Sequence, residues 1–167
     1  MQTLWAPWRM AYIGGAKEPG CIFCDAATAP DPRASLVLGR SRAGIVMLNR
    51  FPYAYAHLMI APQAHTADLT TLAPPAYAEL SGLLRRVVAV LQDELHPQGM
   101  NVGINLGRAA GAGIADHLHW HVVPRWEGDT NFMPLLAEVR VMPEHLEVIY
   151  DRLRPLFAPL DDQTLNE

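Results

Sequence analysis

The chain has 167 residues, 50% of them hydrophobic and 18% charged, which is enough to bury a core without disulfides. Its net charge of −4 and the lack of any basic run argue against a duplex-binding protein. No apolar window approaches the roughly 18 residues of a membrane span, and Met1-Gln2-Thr3-Leu4-Trp5 does not resemble a signal peptide, so a cytoplasmic protein with no membrane partner is expected.

One domain is expected over residues 1–167. Residues 1–35 read as irregular, an arm over 1–20 carrying the anchors Trp5, Pro7, Trp8 and Tyr12 and then the start of a core spanning about 21–125. Both cysteines fall in Cys21-Ile22-Phe23-Cys24. In a reducing compartment such a pair is a metal half-site, a redox dithiol or a coincidence. The flanks, Pro19-Gly20 before and an Ala/Pro/Asp-rich loop over 26–32 after, do not suit a redox dithiol, and a metal would need two further ligands.

Leu36-Val37-Leu38 and Ile45-Val46-Met47-Leu48, bounded by Gly39 and Gly44, read as a hairpin. A loop over 49–53 leads to a strand over His57–Pro62. Pro74-Pro75 then opens a long helix. Leu80, Leu83, Leu84, Val87, Val88, Leu91 and Leu95 line one face of it, and Pro97 and Gly99 close it. Asn101–Leu106 reads as a fourth strand, followed by the glycine-rich loop 107–113. The last helix is expected over about 143–157, with Glu144 in its first turn and Leu146, Ile149, Leu153 and Leu156 inward. Five strands, one long helix and a C-terminal helix give an α+β domain with an antiparallel sheet.

The fifth strand carries the chemistry. In His117-Leu118-His119-Trp120-His121-Val122-Val123, histidines alternate with apolar residues at the period of a strand. That period puts three imidazoles on one face and turns Trp120 away from them. Alternate residues on a strand are about 6.6 Å apart, so His117 and His121 would be about 13 Å apart. Adjacent histidines can share a metal or a phosphate, whereas one ion can hardly collect all three. Beside them Gly111 and Gly113 offer close backbone approach to an anion. The middle ring, His119, suits a nucleophile whose second nitrogen is held by a hydrogen bond, and His121 suits contact with the phosphate or leaving group.

The motif from His117 to Val123 resembles the signature of the histidine triad (HIT) superfamily of nucleotide hydrolases and transferases at all seven positions. Cys21-Ile22-Phe23-Cys24, Leu48-Asn49, and His57-Leu58-Met59-Ile60-Ala61-Pro62 with His65 resemble further parts of the family in the right order. Trp5-Ala6-Pro7-Trp8-Arg9 and the stretch 125–132 are similar to the bacterial branch that includes diadenosine tetraphosphate phosphorylases. The resemblance implies a HIT-like fold in a homodimer whose sheets join across the two-fold axis. It implies that His119 attacks an α-phosphate, that His121 and His57 line the phosphate pocket, and that Asn105 holds a phosphate oxygen or the His119 geometry. Asn49 would bind ribose, with Ile45, Leu48 and Leu58 beside the base. In zinc-containing members the ligands would be Cys21, Cys24, His65 and His117, a closed set and therefore structural.

One stretch departs from the family. Many hydrolytic members carry Gln and Ser or Thr before the triad, where this chain has Gly111-Ala112-Gly113-Ile114-Ala115-Asp116. Backbone N–H groups would replace those side chains, which favours phosphorolysis of a dinucleoside polyphosphate over hydrolysis. The competing readings are a hydrolase of phosphoramidates or dinucleoside polyphosphates, a zinc-water hydrolase, and a non-catalytic nucleotide-binding protein.

Overall fold

Short aliphatic runs broken by glycine, asparagine and proline build the sheet, and one long amphipathic stretch builds the main helix. The computed structural model describes residues 20–129 and 144–164. Its strands are β1 (Val37–Arg40), β2 (Gly44–Leu48), β3 (Leu58–Pro62), β4 (Gly99–Ile104) and β5 (Trp120–Arg125). They form one antiparallel sheet in the order β1-β2-β3-β5-β4, the expected five-stranded α+β architecture. The α-helices among the described residues are α1 (Ile22–Thr28), α2 (Pro74–Leu95) and α3 (Leu146–Phe157). None of them is long and apolar enough to cross a membrane.

Alternation along β2 and β3 separates two apolar layers. Val46, Leu48, Leu58 and Ile60 join Val122 against Leu80, Leu83, Val87 and Leu91 of α2 and against the buried face of α3. Ile45, Met47, Met59 and Ala61 pack on the other side with Phe23 and Ala26 of α1. In register, Met47 pairs with Met59, Met59 with His121, and His121 with Gly103. This row crosses four strands on the α1 side, so the sheet itself delivers His121 to that face.

The two sheet edges differ. Along β1, Tyr150 Oη donates to the Val37 carbonyl at 3.1 Å and Arg154 donates to the Leu38 carbonyl at 2.8 Å. The Arg40 N–H donates to Asp161 Oδ1 at 2.7 Å, so α3 and the turn after it cover this edge. At the opposite edge β4 is largely exposed, Val102 being 45% accessible.

Several expectations shift. Gly39 lies inside β1 instead of bounding it, while Gly44 is the first residue of β2. A Cβ on Gly44 would come 2.1 Å from the Ala61 carbonyl oxygen, so close strand packing, not turning, requires glycine there. The region expected to be irregular contains α1, with Cys21 at its N-cap. Only His121 of the three histidines lies in β5, because the strand begins at Trp120. Upstream the chain is drawn aside, the Leu118 N–H donating to the Thr66 carbonyl at 2.7 Å. In α3, Tyr150 and Phe157 fill the core, while Leu156 is 40% exposed. Trp5, Pro7, Trp8, Tyr12 and Pro143 lie outside the described residues.

Candidate active site and metal centre

A short helix with a cysteine at its N-cap and another in its first turn presents both thiols on one side. Opposite them stand His65, just past β3, and His117, just before β5. Cys21 Sγ lies 3.2 Å and Cys24 Sγ 3.6 Å from His117 Nδ1, and Cys24 Sγ lies 3.3 Å from His65 Nδ1. All four donor atoms fall within 4.8 Å of one another. A tetrahedral ion with ordinary Zn–S and Zn–N bonds would separate a sulfur from a nitrogen by about 3.5 Å, so the spacing fits. His117 Nε2 donates to the Pro62 carbonyl at 2.9 Å, which leaves the Nδ1 lone pair directed at the thiols. The quartet can hold a metal. Burial holds His117 below the usual imidazole range, and burial beside Cys21 raises the Cys24 thiol.

Two residues on, the ring nitrogens are used in the opposite sense. His119 Nδ1 lies 2.9 Å from the His117 carbonyl oxygen, an acceptor only, so the proton sits on Nδ1 and Nε2 carries the lone pair. The ring is 4% exposed, and desolvation lowers its pKa, favouring the uncharged form at neutral pH. Beside it a second chain of contacts fixes two more tautomers. The Tyr53 N–H donates to His57 Nδ1 at 3.0 Å, which leaves the His57 proton on Nε2. That proton faces His121 Nδ1 at 2.9 Å, and neutral His121 then carries its own proton on Nε2. A ring with an unprotonated nitrogen and a ring with a donor nitrogen thus stand side by side, their centroids 4.9 Å apart.

Both rings open onto a cavity of about 360 Å³. Ile22, Asp25 and Ala26 of α1, with Ala29 at its C-cap, form one wall, and Met47 and Met59 form the floor. Asn49, Arg50, Phe51 and Tyr53 close a second side, with Gly113 and Ile114 at a third. Mostly apolar walls with a few converging polar groups suit a nucleoside-sized ligand.

A family model, described as "HIT domain", matches residues 33–128, more than half of the chain. The chain belongs to the HIT family. An AP-4-A phosphorylase of Mycobacterium tuberculosis is 36% identical over 155 residues, covering 87% of this chain and 79% of the relative. An adenosine 5'-monophosphoramidase of Candida albicans is 25% identical over 154 residues, covering 90% of this chain and 99% of the relative. Among solved structures, a Zn-bound histidine triad family protein from Mycobacterium smegmatis superposes with a TM-score of 0.65 at 28% identity, covering 86% of this chain and 96% of the other. The chain is therefore a nucleotide-processing enzyme of the HIT family.

Within this HIT domain the expected residues fall into three groups. Cys21, Cys24, His65 and His117 converge as the metal quartet. Asn49, Gly113, His119 and His121 line the cavity, and His57 stands behind His121. The remainder are elsewhere. Leu48 and Leu58 project to the opposite face, into the α2 core, because each neighbours in sequence a methionine that faces the cavity. Ile45 shares the cavity's face but is 1% exposed and sealed under α1. Met47 and Met59 line the cavity on that face instead. Gly111 caps the turn over 108–110 at φ 90° and does not line the cavity. The N–H groups of Ala110, Gly111 and Ala112 donate to carbonyls of Gly107 and Arg108, so the anion-cradle reading of this loop shrinks to its end near Gly113. Asn105 follows β4, half-buried and away from the cavity wall. Sequence reasoning missed the α1 wall, although Ile22, Ala26 and Ala29 already stand at helical spacing.

Proposed function

We propose that the chain is a nucleotidyltransferase that cleaves a dinucleoside polyphosphate through a histidine-bound nucleotide, with phosphorolysis of diadenosine tetraphosphate as the favoured reaction. The observation that carries this reading is the His119 Nδ1–H bond to the His117 carbonyl, which leaves Nε2 unprotonated beside the cavity. Nε2 attacks the α-phosphorus of one adenylate. The P–N bond forms, the bond to the bridging oxygen breaks, and ATP leaves, with His121 Nε2–H placed to donate to the departing oxygen. An oxygen of inorganic phosphate then attacks the same phosphorus, the P–N bond breaks, and ADP is released. His57 acts on His121 by occupying its Nδ1. Asn49 binds ribose, Met47 and Met59 contact the base, and Gly113 lies beside the phosphate.

The spacing and chemistry of the quartet support zinc as the metal held by Cys21, Cys24, His65 and His117. Bound there, zinc would act as a cross-link, since four protein donors leave no position for a water. The exposed β4 edge, with Val102 on the strand and Leu106 just past it 45% and 48% accessible, supports a homodimer joined through that strand. Two free cysteines side by side suit the reducing cytoplasm.

The test is incubation with diadenosine tetraphosphate, with and without inorganic phosphate. ADP plus ATP formed only with phosphate is the expected result. AMP formed without phosphate would replace phosphorolysis by hydrolysis. A cavity of about 360 Å³ is at the small end for ligand sites and suits one nucleoside. That favours adenosine phosphoramidate as the second substrate to try. AMP binding without turnover of any nucleotide would leave a binding protein.

A further inference from the structure

One hydrogen bond does not orient an imidazole. The bond from Nδ1 to the His117 carbonyl fixes one nitrogen of His119, yet the ring can still tilt about that axis, sweeping Nε2 off line. Among the described residues, two other rings lie against that of His119. The edge of His121 meets it at 75°, and the ring of Phe23 lies against it with centroids 4.8 Å apart and planes 34° apart. Phe23 also meets His117, at 5.2 Å and 58°. It is 1% exposed, does not line the cavity, and sits in the apolar cluster with Val37, Met47 and Met59. Cys21 and Cys24 bracket it on α1, so its backbone is held between two residues of the metal quartet.

We propose that Phe23 is a positioning residue for the nucleophile, a buried aromatic plate against His119 that holds its ring plane so that Nε2 points into the cavity. The proposal rests on His119 being the nucleophile. Aromatic packing of this kind is directional, unlike the aliphatic packing around it. A nitrogen displaced by about 1 Å loses on the order of a hundredfold in rate without any loss of binding. The Cys-x-Phe-Cys order, here Cys21-Ile22-Phe23-Cys24, thereby serves two centres with one helical turn.

The variant Phe23→Met keeps most of the apolar volume and removes the flat ring. Phe23→Tyr keeps the ring, and Val37→Ala loosens the same cluster without touching any histidine. Single-turnover quenching with saturating diadenosine tetraphosphate would follow formation of the nucleotidyl-histidine. Phe23→Met should slow that step about tenfold or more. Its affinity for AMP and its bound metal should stay within about twofold of wild type. Phe23→Tyr should recover most of the rate, and Val37→Ala should not reproduce the loss. Equal slowing by Val37→Ala, a weakened AMP affinity as the main effect, or an unchanged rate in Phe23→Met would each overturn the proposal. If the wild-type protein forms no nucleotidyl-histidine, the functional reading has failed, and ring ¹⁵N spectra of His119 decide the structural part alone. A single sharp Nδ1–H form that broadens or mixes in Phe23→Met supports positioning; one that is unchanged refutes it.

Discussion

The metal-ligand corner and the proposed phosphate corner of this protein begin two residues apart, yet they use the same side chain in opposite senses. His117 donates from Nε2 to Pro62 and offers Nδ1 to the thiols. His119 donates from Nδ1 to His117 and offers Nε2 to the cavity. Both rings are almost fully buried, so burial does not distinguish them. What distinguishes them is which carbonyl lies within reach. The nitrogen a histidine leaves open here is set by its hydrogen-bond partner, and the partner is set by where the chain runs before β5 begins.

The sharpest way to separate the corners is to remove one ring from each. His119→Gln should reduce turnover by about 10⁴-fold or more while AMP still binds, as read by steady-state kinetics and calorimetry. Equal activity in that variant would remove the nucleophile from the mechanism. Cys24→Ser should act on the other corner, with metal lost and stability falling by about 3 kcal/mol, a drop in Tm of roughly 6–12 °C. Its activity at low temperature should outlast the metal. Abrupt loss of activity on chelation, before any unfolding, would instead place the metal in catalysis and merge the two corners.

Within the phosphate corner, His121→Ala should lower kcat about 100-fold, and His57→Ala by less, about tenfold, because His57 reaches the substrate only through His121. A larger effect at His57 would reverse that order of action. The smallest effect belongs to the floor. Met47→Ala should raise the KM for nucleotide about fivefold, roughly 1 kcal/mol of lost apolar contact, with kcat little changed. Leu48→Ala, one residue on and facing the other way, should leave KM alone and cost about 2–4 kcal/mol of stability in a denaturant titration.

The gathering of residues in both corners was legible in the sequence because it rests on residue types and spacing. Cys21 and Cys24 stand at an interval that one helical turn converts to a shared side, and the alternation from His117 to His121 marks a row of imidazoles. The five strands and the long helix were legible for the same reason, their periods being local. What the sequence did not show was decided by distant partners. The expected strand through His117 is interrupted by Pro62 and Thr66, more than 50 residues away in the chain, whose carbonyls bond the His117 ring and the Leu118 N–H. Ile45, Leu48 and Leu58 were expected beside a base, yet none of them lines the cavity, since alternation tells which residues share a face and not which face is open. Helix α1 was hidden by its brevity, 7 residues flanked by prolines, and it is held by tertiary packing of Phe23 and Ala26.

The covered and uncovered edges of the sheet limit how copies of this protein can add to one another. Side chains from α3 and the turn after it occupy the backbone groups along β1, leaving that side no template for a further strand. Among the described residues, β4 is the edge left to recruit a neighbour. A ribbon that can grow from one end alone joins a second like itself and then stops, so the same edge that invites pairing carries a built-in termination against fibres.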